Sequence, residues 1–283
     1  MLPALVYFGV FHYSPMYGLR IAFKDFSLAR GVWESSWVGM EHFGRFFGSY
    51  QFPALLRNTL LLSLYQLALF PVSVFVAISL NEVRRGPFRR FAQTVTYAPH
   101  FVSVVVLVGL LLNFLHPVTG IVNRVIQALG GQPVAFMTDP AWFRPVFVLS
   151  GEWQNLGWGA IVYLAALAAV DPQLHEAAVM DGANRAQRIL HVDLPGILPT
   201  VVILFILQLG TLMSVSFEKV YLMQTPLNLT SAEVIQTYVY KAGLLGAQYS
   251  FSAAAGLFNS VVNLTLLLSV NRLAGRVTGT RLW

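Results

Sequence analysis

The residues best equipped for chemistry are few, and they sit in an apolar chain. Glu152, within "SGEWQNLGWG", is the clearest acid inside a hydrophobic run, and Gln154 and Asn155 stand beside it. A carboxylate and two amides offer the paired donors and acceptors that recognise hydroxyl-rich solutes. Burying such an acid at the centre of a membrane helix costs roughly 3 kcal/mol, so it should face a cavity or a partner. Gln208, Thr211 and Ser214 follow one face of a second apolar run. Gly256, Asn259, Ser260 and Asn263 recur at i, i+3, i+4 and i+7 in a third, forming a polar stripe on an otherwise apolar helix. Small and amide residues also hold membrane helices together, so each is a candidate for a solute path or for an interface. Trp153 and Trp158 read as belt or packing residues.

Covalent and metal chemistry find no such support. "HEAAV" at His175 opens like the HExxH zinc motif but has Val179 where the second His should stand. There is no GxSxG and no intramembrane Asp pair. Cysteine is absent and the six His are scattered, which removes thiolate nucleophiles, disulfides and paired metal ligands. No GxxxxGK[ST] cradle for ATP phosphates occurs either. Energy for any work must come from elsewhere.

The elements that position these groups are membrane helices. Apolar residues make up 56% and charged residues 11% of the 283 residues, with a mean hydropathy of +0.64, whereas soluble domains are about a quarter charged. A bilayer core takes about 20 apolar residues in a helix. Six runs reach that length, roughly 2–22, 58–80, 94–115, 146–169, 198–217 and 250–271. The expected fold is all-α and polytopic, one transmembrane domain over 1–283. Pro71 and Pro99 inside the runs are tolerable because neighbouring helices satisfy the freed carbonyls. The first run holds His12, Pro15 and Arg20 and has no basic leader, as a start codon placed late would produce.

Charge sets the expected orientation. If both termini are cytoplasmic, the inner segments carry Arg84, Arg85, Arg89, Arg90, Arg185, Arg188, Arg272, Arg276 and Arg281, nine in 55 residues, against nine Lys or Arg in 100 outer residues. The positive-inside rule favours this topology, and it explains the net charge of +6 without nucleic acid. Trp33, Trp37, Phe43, Phe46 and Phe47 in the outer segment 23–57 read as a headgroup belt.

Between the fourth and fifth runs lies the polar stretch "DPQLHEAAVMDGANRAQRILHVDLPGILPT", residues 171–200. Asp171 and Pro172 form a helix start. Leu174, Ala177 and Ala178 make a one-turn apolar stripe, and Gly182 supplies a left-handed stop. Asn184 can cap a second short helix through about His191, which Pro195 and Pro199 close before the fifth span. Two short surface helices at an angle are expected.

This pattern resembles the EAA loop of binding-protein-dependent ABC importer permeases, EAA-x3-G-x9-I-x-LP. Glu176, Ala177, Ala178, Gly182, Leu194 and Pro195 match, and Val192 replaces isoleucine. "RNTLLLSLYQLALFPVSVFVAISLNEVR", "YAPHFVSVVVLVGLLLN", "GWGAIVYLAALAAVDPQLHEAAVMDGA" and "QYSFSAAAGLFNSVVNLTLLL" resemble the carbohydrate-uptake, MalF-like branch. The flavour is that of members handling complex oligosaccharides, including pectin- and alginate-derived ones. The missing basic leader departs from the family pattern. The resemblance implies six transmembrane helices in the bacterial inner (cytoplasmic) membrane and a cytoplasmic coupling loop at 171–199. It also implies a second permease subunit forming a heterodimer, two cytoplasmic ATPase subunits and an extracytoplasmic solute-binding protein. ATP and Mg would sit on the ATPases, with no cofactor on this chain, and the solute would be a sugar or oligosaccharide. Glu176 would pair with a basic residue of an ATPase. An ABC permease for peptides or amino acids and an ion-coupled transporter with Glu152 as proton site remain alternatives. An acidic oligosaccharide would want Lys or Arg in the cavity, and the fourth to sixth runs offer none.

Overall fold

Prolines and capping side chains set the helix boundaries of the chain, whose computed structural model describes residues 2–84 and 86–277 together with Gly279 and Leu282. Two of the arginines counted above, Arg85 and Arg281, lie outside the described residues. Helix α1 (Phe52–Ala68) and helix α2 (Phe70–Glu82) each carry a proline in the first turn and meet at Leu69. Together they form one rod of 31 residues. Helix α3 (Pro87–Tyr97) runs through a 3-10 turn, Ala98–Phe101, to helix α4 (Val104–Phe114). Helix α5 (Pro140–Ala168) is 29 residues long, and helix α6 (Pro172–Met180) follows it at 72°. Helix α7 (Leu194–Gly210), the short helix α8 (Phe217–Met223) and helix α9 (Tyr249–Val277) complete the main frame.

Three expectations are corrected here. The run over 94–115 is no single continuous helix, because its two arms meet at 98°. Pro99 has no amide to donate in the 3-10 turn, and the extended Ser103 starts a new helix by accepting from Val106 N at 3.3 Å. The second short helix and the fifth span are likewise not separate. Arg185–Arg188, a π turn at Ile189–Asp193 and α7 form one rod of 26 residues. Leu194 N bonds Ile189 O across the widened turn, which accommodates the missing amide of Pro195. That rod ends at Gly210, so Thr211 and Ser214 lie on the turn beyond it.

Among the described residues, three helices are long and apolar enough to cross a bilayer, or five if each bent pair counts as one. Residues 2–23 are helical, but the α, π and 3-10 pieces around Pro15 and Gly18 give no unbroken helix of spanning length. The six-span count is not confirmed.

Packing follows from small residues and buried amides. α5 lies along α2, and α7 packs on α9. A Cβ at Gly157 would collide with the carbonyl of Thr96, so this glycine lets α3 cross α5 at backbone contact. Asn58 is 2% exposed. It donates to Thr230 O and Glu233 O at 3.0 Å each and accepts from Arg144 Nη2 at 2.9 Å, tying α1 and α5 to the connector before α9. Leu110, Leu149, Leu198, Leu207, Val261 and Leu264 point outward from the long helices. Lipid solvates such faces, and water does not. Of the expected aromatic belt, Trp33 and Trp37 are exposed, but Phe43 and Phe46 are buried. Phe46 packs edge-on against Phe52 and Phe251, so it belongs to the core.

Candidate functional site

A polar cavity of about 430 Å³ opens between α1, α2, α5 and α7. Glu152 and Asn155 reach it from α5, and Gln208 from the end of α7. Thr211 and Ser214 reach it from the turn that follows, and Gln66 and Ser73 from the α1–α2 rod. Glu152 and Gln208 are half-buried. Gly159 opens this wall, since a Cβ there would meet Ser73 Oγ at 2.8 Å. Trp158 forms one side, with His100 stacked on it at 4.4 Å between ring centroids and 4° between planes. Trp158 thus lines the cavity, whereas Trp153 lies in an apolar groove with Leu107 and Leu110. An acid, several amides and hydroxyls beside an indole are what a polyhydroxylated solute needs, donors and acceptors in pairs next to a flat apolar face.

A second cavity of about 330 Å³ adjoins the first, sharing Gln66, Gly151 and Asn155 in its lining. Its wall is the break between the 3-10 turn and α4. Gln154 Nε2 donates to Val102 O at 2.6 Å and so fixes that break to α5. His100 Nδ1 donates to Asn155 Oδ1 at 3.1 Å, and the same amide donates from Nδ2 to Gly151 O at 2.9 Å. Lys219 enters from α8, which lies outside the spanning helices, and its Nζ donates to Phe147 O at 2.8 Å. Burial pushes the Lys219 ammonium down to about 8. The fourth to sixth runs carry no Lys or Arg, as read from the sequence, but the chain folds back after Gly210 and brings Lys219 to this cavity.

The α9 stripe divides. Asn259 and Gly256 line a separate cavity with Gln236 and Tyr240. Asn263 accepts from Met213 N and donates to Ser214 Oγ, both at 2.9 Å, which pins the turn after α7. Ser260 donates to Gly256 O on its own helix at 3.1 Å. Sequence reasoning missed Gln66, His100, Ser103 and Lys219. A lone amide in an apolar run was the available sign for Gln66. Nothing local marked the other three.

The 171–199 segment presents a built helix. Asp171 accepts from Gln173 N at 2.9 Å at the start of α6. Gly182 at φ +80° ends it, with Ala183 N on Ala178 O at 2.9 Å and Gly182 N on Val179 O at 3.0 Å. Both bonds are those of a left-handed helix stop. Asn184 and Gln187 then cap each other's backbones reciprocally. His175 Nε2 lies 3.3 Å from Asp193 Oδ1, linking α6 to the π turn. The outer face stays open, with Glu176 and Ala177 exposed and Met180 at 86% exposure. Leu194 and Pro195 lie apart from this face, in a groove with Glu82 of α2.

Residues 70–279 match the model of the family described as "Binding-protein-dependent transport system inner membrane component". The chain belongs to this family. It is therefore an inner membrane component of a transport system. It is 45% identical over 275 residues to Protein LplB of Bacillus subtilis (strain 168), covering 97% of this chain and 86% of that protein. The polygalacturonan/rhamnogalacturonan transport system permease protein YteP of the same organism matches with the same identity and coverage. A bacterial ABC transporter involved in the import of the acidic polysaccharide alginate has a chain that superposes with a TM-score of 0.91 at 41% identity, covering 98% of this chain and 94% of that one. The alginate ABC transporter in complex with an alginate pentasaccharide-bound periplasmic protein gives the same TM-score and identity.

Proposed function

We propose that this chain is a permease subunit of an ATP-driven importer that passes saccharides or oligosaccharides handed over by a solute-binding protein. A second permease subunit would complete the path, and two cytoplasmic ATPase subunits would bind ATP and Mg and drive it. Both termini would then be cytoplasmic. The observation that carries this reading is α6, a helix capped at both ends, turned 72° from α5 and exposed along the face that holds Glu176. The caps hold α6 in shape through its own backbone, which leaves the open face free for a partner to seat on.

In this reading α6 sits in a cleft of an ATPase, and Glu176 pairs with a basic group there. Closure of the ATPase dimer moves α6 as a lever. Residues 169–171 pass the motion to α5, and the His175–Asp193 contact passes it to the rod leading into α7. Both helices line the Glu152–Gln208 cavity. Rocking them exposes the cavity to one side and then the other, the alternating access that transport requires. The relatives named for saccharide systems support the solute class, and the amide- and hydroxyl-lined cavity fits it. Glu176→Lys tests the reading. Co-purification of the ATPase or coupled uptake should be lost while membrane insertion survives, and unchanged uptake would refute the assignment.

A further inference from the structure

The role of α5 and α6 as levers leaves one feature without a use. The Lys219 side chain is buried, at 4% exposure, yet no described Asp or Glu forms an ion pair with it. Its ammonium has three donors. One serves Phe147 O at 2.8 Å, and the Phe147 ring lies 4.8 Å from Nζ. What remains of the charge faces the cavity lined also by His100, Ser103, Gln154 and Asn155. A buried cation without a counter-ion is costly, and the cost is relieved when an anion reaches it. The wall opposite is cut back to make room. A Cβ at Gly151 would stand 3.0 Å from Nζ.

We infer that Lys219 is the carboxylate-binding residue of the substrate path, and that the solute is an acidic oligosaccharide bearing uronate-type carboxylates. This rests on the saccharide-importer reading and narrows it. A single ammonium suits a singly charged carboxylate better than a phosphate, which asks for more cationic charge. Glu152 does not oppose this arrangement. Successive helical residues point 100° apart, so Gly151 opens toward Lys219 while Glu152 serves the adjoining cavity as an acceptor for sugar hydroxyls.

The test uses the assembled transporter in proteoliposomes with its binding protein, reading saccharide-stimulated ATP hydrolysis. The probes are trigalacturonate, trimannuronate and their methyl esters, which keep the sugar and remove the charge. Wild type should respond to at least one acid. Lys219→Gln should raise the half-maximal concentration for that acid roughly tenfold or more, the scale of a charge-assisted hydrogen bond, and leave its ester within about twofold. Gly151→Ala should act in the same direction by crowding the ammonium without removing it. Stimulation by neutral saccharides alone overturns the inference and leaves the importer reading standing. So does an equal loss for acid and ester, or loss of the sister subunit in Lys219→Gln, which would make the cation an interface or packing residue. No stimulation by any saccharide overturns both readings.

Discussion

Gly182 offers the cleanest test of whether the shape of α6 matters to coupling. It sits at φ +80°, and a Cβ built there meets no atom within 4 Å. Substitution therefore adds no clash within the chain, and its whole effect is backbone strain. An L-residue in this region costs roughly 1–2 kcal/mol, Asn less than Ala, and a β-branched residue more. The strain falls on the bonds from Ala183 N and Gly182 N that close the last turn of α6. A penalty of about 1–2 kcal/mol is a factor of roughly 5–30 in the population of the closed turn. The series Gly182→Asn, Gly182→Ala and Gly182→Val should lower substrate-stimulated ATP hydrolysis in proteoliposomes in that order. The largest loss should reach about tenfold. The order separates strain from contact with a partner, since Asn is larger than Ala. If Ala is milder than Asn, the site is reading side-chain size. If Val equals wild type, the defined end of α6 has no part in coupling.

Other substitutions should separate path from packing. Glu152→Gln and Gln208→Ala should raise the saccharide concentration needed for half-maximal uptake at least severalfold, with basal ATP hydrolysis and detergent melting unchanged. Asn263→Ala should do the reverse, since it removes two hydrogen bonds under the turn at Met213 and Ser214. A loss of about 1–2 kcal/mol should appear as a lower melting temperature, with substrate affinity kept. Gly157→Val would force α3 away from α5 at Thr96. Overpacking of this kind costs about 1–3 kcal/mol and should lower melting temperature and yield. His175→Ala should leave ATPase co-purification intact but reduce coupled uptake, because it cuts the contact between α6 and Asp193.

The parts of this molecule governed by local chemistry were legible in the sequence. Asp171–Pro172, Gly182 and Asn184 each act within a few residues, and each stands where its type predicts. That Glu152 reaches a polar cavity was also foreseeable, because an acid in an apolar run should face a cavity or a partner. Features set by tertiary contact were hidden. The 98° turn before α4 looks like continuous hydrophobic sequence until the bond from Gln154 to Val102 holds the break open. The π turn at Ile189–Asp193 follows from how one helix absorbs Pro195, and prolines alone suggested two helices. Lys219 lies nine residues past the end of α7, and only the fold of 211–216 brings it to Phe147. Phe43 and Phe46 carry the composition of a belt, but rings from α1 and α9 bury Phe46, and Phe23 with the Ala254 face of α9 buries Phe43.

The absence of cysteine makes the decisive measurement simple. Met180→Cys places one thiol on the exposed face of α6, where the native side chain is 86% exposed. In membranes holding the complete transporter, it should crosslink to an ATPase subunit, with a yield that changes when nucleotide is added, and it should resist membrane-impermeant thiol reagents applied from outside. A thiol labelled from outside, or one that never reaches an ATPase subunit in any nucleotide state, would contradict the account.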